Sequence, residues 1–133
     1  MKAAVVDASV LVNWFGTRDT RRDRIRQRFA AGDAFFAPAH LDVEVASGLR
    51  GLALRDAAVA RRASAAFTAL AVLAVQRVPV GPLLDRIWQL RANVTPYDAA
   101  YVALAEMLDA PLITCDSRLA TASGPTCPIE LIG

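Results

Sequence analysis

Four acidic residues, Asp7, Glu44, Asp98 and Asp116, stand where carboxylates can do chemistry together. Asp7 closes the apolar run Lys2 to Val6, and Asp116 closes Pro111-Leu112-Ile113-Thr114-Cys115. Asp98 lies in Thr95-Pro96-Tyr97-Asp98-Ala99-Ala100-Tyr101, where Thr95 is a good N-cap and Pro96 suits the first helical position. Glu44 belongs to a helix expected from His40 to Leu54, on the rim of the apolar face made by Leu41, Val45, Leu49 and Leu52. Near that rim, Ser47, Gly48 and Gly51 leave room either for a ligand or for a closely packed neighbour.

In an open parallel sheet, ligands bind beyond the carboxyl ends of the strands. Asp7 and Asp116 occupy such ends, and the helix starts carrying Asp98 and Glu44 can face the same edge. Carboxylates gathered there repel one another unless a cation compensates. A hard divalent ion with oxygen ligands, Mg²⁺ or Mn²⁺, is the expected compensation. Such an ion lowers the pKa of a bound water and stabilises charge on phosphorus, so the chemistry is phosphodiester hydrolysis. Ser9 and Thr114 are candidate donors behind the acids, orienting the carboxylates or the water. Taken singly, Asp7, Asp98 and Asp116 read as helix caps, each favoured by roughly 0.3–1 kcal/mol through the helix dipole. A solvated glutamate accounts for Glu44 alone equally well; only the combination points to catalysis.

Other chemistries have little to draw on. His40 is the one histidine, and it reads as a polar residue in a helix's first turn rather than as a catalytic base. Cys115 and Cys127 make neither a disulfide framework nor a paired Cys/His zinc spacing, which fits reduced thiols in a cytoplasm. Net charge is only +2, but Arg18, Arg21, Arg22, Arg24, Arg26 and Arg28 against Asp19 and Asp23 leave one segment at +4 and the remainder at −2. That segment reads either as an electrostatic surface for RNA or as a solvated helix.

The positioning elements follow from periodicity. Residues 1–133 make one domain's worth of chain, with 55% hydrophobic and 21% charged residues. No apolar run reaches the about 18 residues that span a bilayer, and Asp7 cuts short the apolar start, so neither membrane insertion nor export is expected. Strands are expected at Lys2 to Val6, Ala34 to Ala37, Leu112 to Thr114 and Ile129 to Ile132. Helices are expected through Val10 to Phe15, around Ile25 and Phe29, from His40 to Leu54, from Asp56 to Val75, around Leu83 to Leu90, after Thr95, and from Asp116 to Ala122. The Asp56 to Val75 helix is apolar nearly all round beyond Ala63 and is expected to be buried against other helices or a partner subunit. Val78-Pro79-Val80-Gly81-Pro82 reads as a connector, and Tyr97, Tyr101, Leu104 and Leu108 as an inward stripe. Trp14, Phe15, Trp88 and Tyr97 are expected in the core rather than as stacking platforms for bases. Strands alternating with helices indicate an α/β domain with a mostly parallel sheet.

Val5-Val6-Asp7-Ala8-Ser9, Pro38 followed by Glu44, Thr95 to Ala105, and Leu112-Ile113-Thr114-Cys115-Asp116-Ser117-Arg118-Leu119 together resemble the PIN-domain ribonucleases, and within them the VapC-type toxins of bacterial toxin-antitoxin pairs. The resemblance runs along the whole chain. It implies a three-layer sandwich whose central, mostly parallel sheet of four to five strands is flanked by helices. It also implies an Mg²⁺- or Mn²⁺-dependent endoribonuclease with Asp7, Glu44, Asp98 and Asp116 as acidic ligands, a homodimer, and an antitoxin whose tail occupies the acidic groove. One competing reading is a non-catalytic binding module on the same scaffold, against which the intact acid set counts. Another is a magnesium-dependent phosphotransfer domain. That class brings a lysine near the phosphoryl group, whereas the one lysine here is Lys2.

Overall fold

The computed structural model describes residues 2–133. Its centre is a five-stranded sheet in the order β3-β2-β1-β4-β5. Every neighbouring pair is parallel.

The chain enters through β1 (Ala3–Val6) and continues as α1 (Ala8–Gly16), α2 (Arg21–Phe29), β2 (Ala34–Pro38), α3 (Leu41–Ala53) and α4 (Ala57–Val72). There follow β3 (Val75–Val78), a short 3-10 turn at Gly81–Leu83, α5 (Leu84–Gln89) and α6 (Pro96–Met107), then β4 (Leu112–Thr114), α7 (Ser117–Ala120) and β5 (Ile129–Leu131). A strand in the middle of a parallel sheet is covered on both faces, which is why β1 reads as unbroken valine and alanine rather than alternating. Ala4, Val5 and Val6 are accordingly fully buried.

From β1 the chain winds outward through β2 to β3, then returns past β1 to add β4 and β5. Right-handed crossovers in opposite directions place the connecting helices on opposite faces. One face carries α1 to α4, which pack on one another; the other carries α5 and α6. The reversal falls between β1 and β4, whose register pairs Val5 with Leu112 and Val6 with Ile113. That is the switch point where open α/β sheets form their crevice.

Two helices set this crevice. In α6, Ala99 through Ala105 are all buried, and the alanines let the helix lie against β1, β2 and β4. In α3, Leu41, Val45 and Leu49 face inward. A Cβ at Gly48 would run into the Val12 side chain, so the small residue serves close packing of α3 on α1.

The expected elements differ from the structure in three places, and α4 leaves part of its apolar surface uncovered within the chain. The helix expected to run to Val75 stops at Val72, and Val75–Val78 is a strand that pairs with β2. The apolar tail of α4 runs on to Val75, and the pairing with β2 that makes Val75–Val78 a strand is non-local. In α4 only Val59, Ala66 and Leu70 are buried, while Phe67 and Val72 are exposed. Trp88 is 66% exposed because α5 docks through Ile87, with Leu83 and Leu90 buried on either side of the helix. Tyr97 is likewise 66% exposed, because it sits in the first turn of α6, ahead of the buried stretch.

Candidate active site

Asp7 is 4% exposed, and with Thr114 it is a buried polar residue in an otherwise apolar core. Its place is fixed from both strands: its own N–H donates to the Ile113 carbonyl at 3.0 Å. Ser9 Oγ and Thr114 Oγ1 each donate to Asp7 Oδ2 at 2.7 Å. Those hydroxyls are themselves held, since Cys115 N–H donates to Ser9 Oγ at 2.9 Å and Asp116 N–H to Thr114 Oγ1 at 3.0 Å. Each hydroxyl has one proton and gives it to Asp7. The arrangement ties the turn after β1 to the turn after β4. Burial pushes the Asp7 carboxyl above its ordinary pKa, and the two hydroxyl bonds work against that rise.

Expected to cap α1, Asp7 makes no side-chain cap bond. Asp116 does cap α7, accepting from Arg118 N–H at 2.9 Å. Asp98 does not cap α6; Thr95 Oγ1 does, accepting from Asp98 N–H at 3.3 Å. The Asp98 side chain is therefore free of backbone duty. Thr95, Asp98 and Asp116 line one cavity of about 220 Å³, with Asn93, Leu119 and the exposed Arg118 at its walls. Arg118 Nε stands 3.8 Å from Asp116 Oδ1.

Glu44 is half-buried in α3 rather than solvated. Tyr101 Oη donates to its Oε1 at 2.6 Å, and His40 Nε2 lies 3.1 Å from the same oxygen. Burial works to raise the Glu44 pKa, but the bonds from His40 and Tyr101 outweigh it and hold the carboxyl below its ordinary range. His40 is shifted upward, chiefly by its bond to Glu44. Sequence reasoning missed both partners. His40 was assigned to a helix turn, although its i, i+4 spacing to Glu44 is readable. Tyr101 was assigned to the apolar stripe, which is where its ring is; only a fold shows what the hydroxyl meets.

The four acids share one electrostatic field. Asp98 is pushed up to about 6, first by burial and then by the charges of Asp7, Glu44 and Asp116. Among the described residues, no three His, Cys, Asp or Glu side chains are drawn together into a ready metal shell. An all-oxygen donor set whose charges add to burial in raising the Asp98 carboxyl matches a hard divalent cation.

The arginine-rich helix spends much of its charge internally. Arg28 pairs with Asp33 and Glu130, Arg21 donates to Asn13, and Arg22 and Arg26 lie over the Trp14 ring.

Residues 4–125 match the PIN domain family. Ribonuclease VapC1 of Mycobacterium tuberculosis is 52% identical over 97 residues, covering 72% of this chain and 73% of that protein. Ribonuclease VapC12 of the same organism is 40% identical over 128 residues, covering 96% of this chain and 98% of its own length. Among solved structures, VapBC2 from Rickettsia felis, bound to a DNA fragment from its promoter, superposes with a TM-score of 0.69 at 10% identity, over 98% of this chain and 99% of the other. That last likeness is one of fold. With the sheet, its switch-point acids and these relatives in view, the chain belongs to the PIN-domain family, among the VapC ribonucleases.

Proposed function

We propose that the chain is the toxin of a toxin-antitoxin pair, an endoribonuclease that uses Mg²⁺ or Mn²⁺ held by Asp7, Glu44, Asp98 and Asp116 to hydrolyse phosphodiester bonds of a cellular RNA. The observation that carries this reading is four acids sharing the sheet's switch-point edge, where Asp98 and Asp116 line one cavity and burial, then the charges of Asp7, Glu44 and Asp116, push the Asp98 carboxyl up to about 6. A bound divalent ion supplies Lewis-acid stabilisation of the charge that develops on the phosphate oxygens. The chain's own residues orient and shield. Ser9 and Thr114 hold Asp7 by Oδ2 and so fix its orientation at the switch point. Asp98, free of capping and shifted toward neutrality, is the acid best matched to accept a proton from an attacking water. Arg118, on the cavity rim, meets phosphate charge without reading sequence.

The VapC names of its relatives and the toxin-antitoxin character of its structural neighbours support an antitoxin partner. A groove between α1, α2 and α4 suits an acidic amphipathic segment: Trp14 and Phe15 line it, Ala65, Ala66 and Ala69 leave room for close approach, and Arg18, Arg22 and Arg62 supply charge. A homodimer would cover apolar side chains left exposed on α3 and α4, Val43, Phe67 and Val72 among them.

The test is direct. Purified, antitoxin-free protein is expected to cleave RNA when Mg²⁺ or Mn²⁺ is added and to stop when EDTA is added. Wild-type protein inert toward total cellular RNA under those conditions would overturn the enzyme and favour the binding-module reading. Induced expression without the partner is expected to arrest growth.

A further inference from the structure

Glu44 and Asp7 are built alike. Asp7 has one oxygen, Oδ2, gripped by two donors from different elements, Ser9 in α1 and Thr114 in β4. Glu44 has one oxygen, Oε1, gripped by Tyr101 from α6 and His40 at the start of α3. Among the described residues, both partners of Glu44 fall on Oε1, and the Asp7 carboxyl is held by the two hydroxyls and the Ser9 main chain. The second clamp has no counterpart in the sequence reading, and we propose that Tyr101 and His40 are positioning residues that hold Glu44 Oε1 so that Oε2 alone is offered to the divalent ion.

This inference rests on the metal-dependent nuclease reading and adds residues that act through Glu44. Tyr101 is fully buried, so its hydroxyl requires a partner. A main-chain carbonyl of the core would have served for packing alone. The partner is instead a half-buried carboxylate of the acid group, and the Ala8 N–H, next to Asp7, faces the same hydroxyl. Tyr101 thus stands between the segments that carry Asp7 and Glu44.

His40 completes the grip. Its Nε2 lies 3.0 Å from the Tyr97 carbonyl as well as 3.1 Å from Glu44 Oε1. Both neighbours only accept, so Nε2 carries the proton and donates to both. Tyr97 adjoins Asp98, so one imidazole links the first turn of α6 to the first turn of α3. Its ring centroid lies 5.0 Å from that of Tyr101, which packs the two donors against each other. A glutamate has several side-chain torsions to freeze when it captures an ion. Donors on one oxygen freeze them in advance and favour monodentate binding through the other.

The experiment is a double-mutant cycle on Mn²⁺ affinity, read by electron paramagnetic resonance on RNA-free protein, with folding checked by circular dichroism. Tyr101→Phe is expected to weaken Mn²⁺ binding about tenfold. In a Glu44→Gln background the same change is expected to do almost nothing, because its route has been removed. Losses that multiply, or a Tyr101→Phe affinity within about twofold of wild type, would overturn the clamp. His40→Ala should repeat the pattern more weakly, and His40→Gln, which restores an N–H donor, should recover most of the loss. Should Tyr101→Phe not fold, the cycle with His40→Ala decides on the same outcomes. Wild-type protein that binds no Mn²⁺ sinks the nuclease reading and the clamp together. Wild type that binds Mn²⁺ beside an unaffected Tyr101→Phe removes only the clamp.

Discussion

Two sets of carboxylates in this chain meet opposite fates. Away from the sheet's switch point, the acids that are tied into the fold are tied by arginine: Asp42 by Arg77 at 2.8 Å, Asp33 and Glu130 by Arg28 at 2.8 and 2.7 Å, Glu106 by Arg86 at 2.6 Å. Glu106 shows the result, its carboxyl held below the ordinary range chiefly by the Arg86 bond, with Thr126 assisting. At the switch point, Asp7 and Glu44 receive hydroxyls, a phenol and an imidazole instead, and Asp116 has its cap bond from the Arg118 N–H and a long, exposed contact to the Arg118 side chain. Arginine is the commonest cation of the sequence, yet among the described residues no arginine side chain pairs with Asp7, Glu44 or Asp98. The contrast separates acids that staple the fold from acids whose charge is left for something else.

Removing a charge should therefore have opposite effects in the two regions. Asp98→Asn is expected to drop RNA cleavage beyond the roughly 10–100-fold typical of losing an outer partner of a metal ligand. The same change should leave the melting temperature at neutral pH equal or higher, because it relieves repulsion from Asp7, Glu44 and Asp116. A thermal melt beside a cleavage assay checks both halves, and a large loss of stability would break the comparison. Glu106→Gln is the mirror image. It is expected to cost about 1.5–3 kcal/mol in chemical denaturation, the range for a hydrogen bond to a charged group. Cleavage per folded molecule should not change.

A smaller effect separates the regions by pH. The Asp98 carboxyl lies at about 6 in the folded chain, above the ordinary aspartate value, so over that interval the folded state holds more protons than the unfolded one. Stability from this group is fully present below the unfolded pKa and is lost as pH rises through about 6. Mn²⁺ should restore it, so the melting temperature gained on adding Mn²⁺ is expected to be larger at pH 8 than at pH 5. Equal gains at both values would contradict an uncompensated field. The smallest expected effect is at the rim. Arg118→Ala should lower the slope of log affinity for RNA against log salt by about one phosphate contact while sparing Mn²⁺ binding.

How much of this was legible beforehand varied with the kind of signal. Asp7, Asp116 and Asp98 announce themselves locally, as acids at the ends of short apolar runs or behind a Thr-Pro helix start, and the parallel sheet supplies the shared edge. Each strand but β3 was readable from its own apolar run. Val75–Val78 was not, because the apolar tail of α4 runs into it almost without a break and the pairing with β2 that makes it a strand is non-local. Tyr97 and Trp88 fit helical stripes by spacing, yet which turn of a helix overhangs the sheet is a property of packing, and both lie outside. The donors on Glu44 were the deepest gap: Tyr101 is 57 residues away in sequence, and an apolar-stripe tyrosine gives no sign of where its hydroxyl will end.

The central claim is that the switch-point acids hold a divalent cation, and Mn²⁺ titration of the RNA-free protein at neutral pH tests it most directly. Saturable binding is expected in the wild type and in Glu106→Gln, with loss in Asp7→Asn and Asp98→Asn. Absence of saturable binding in the wild type, or binding undiminished in both aspartate variants, would contradict it.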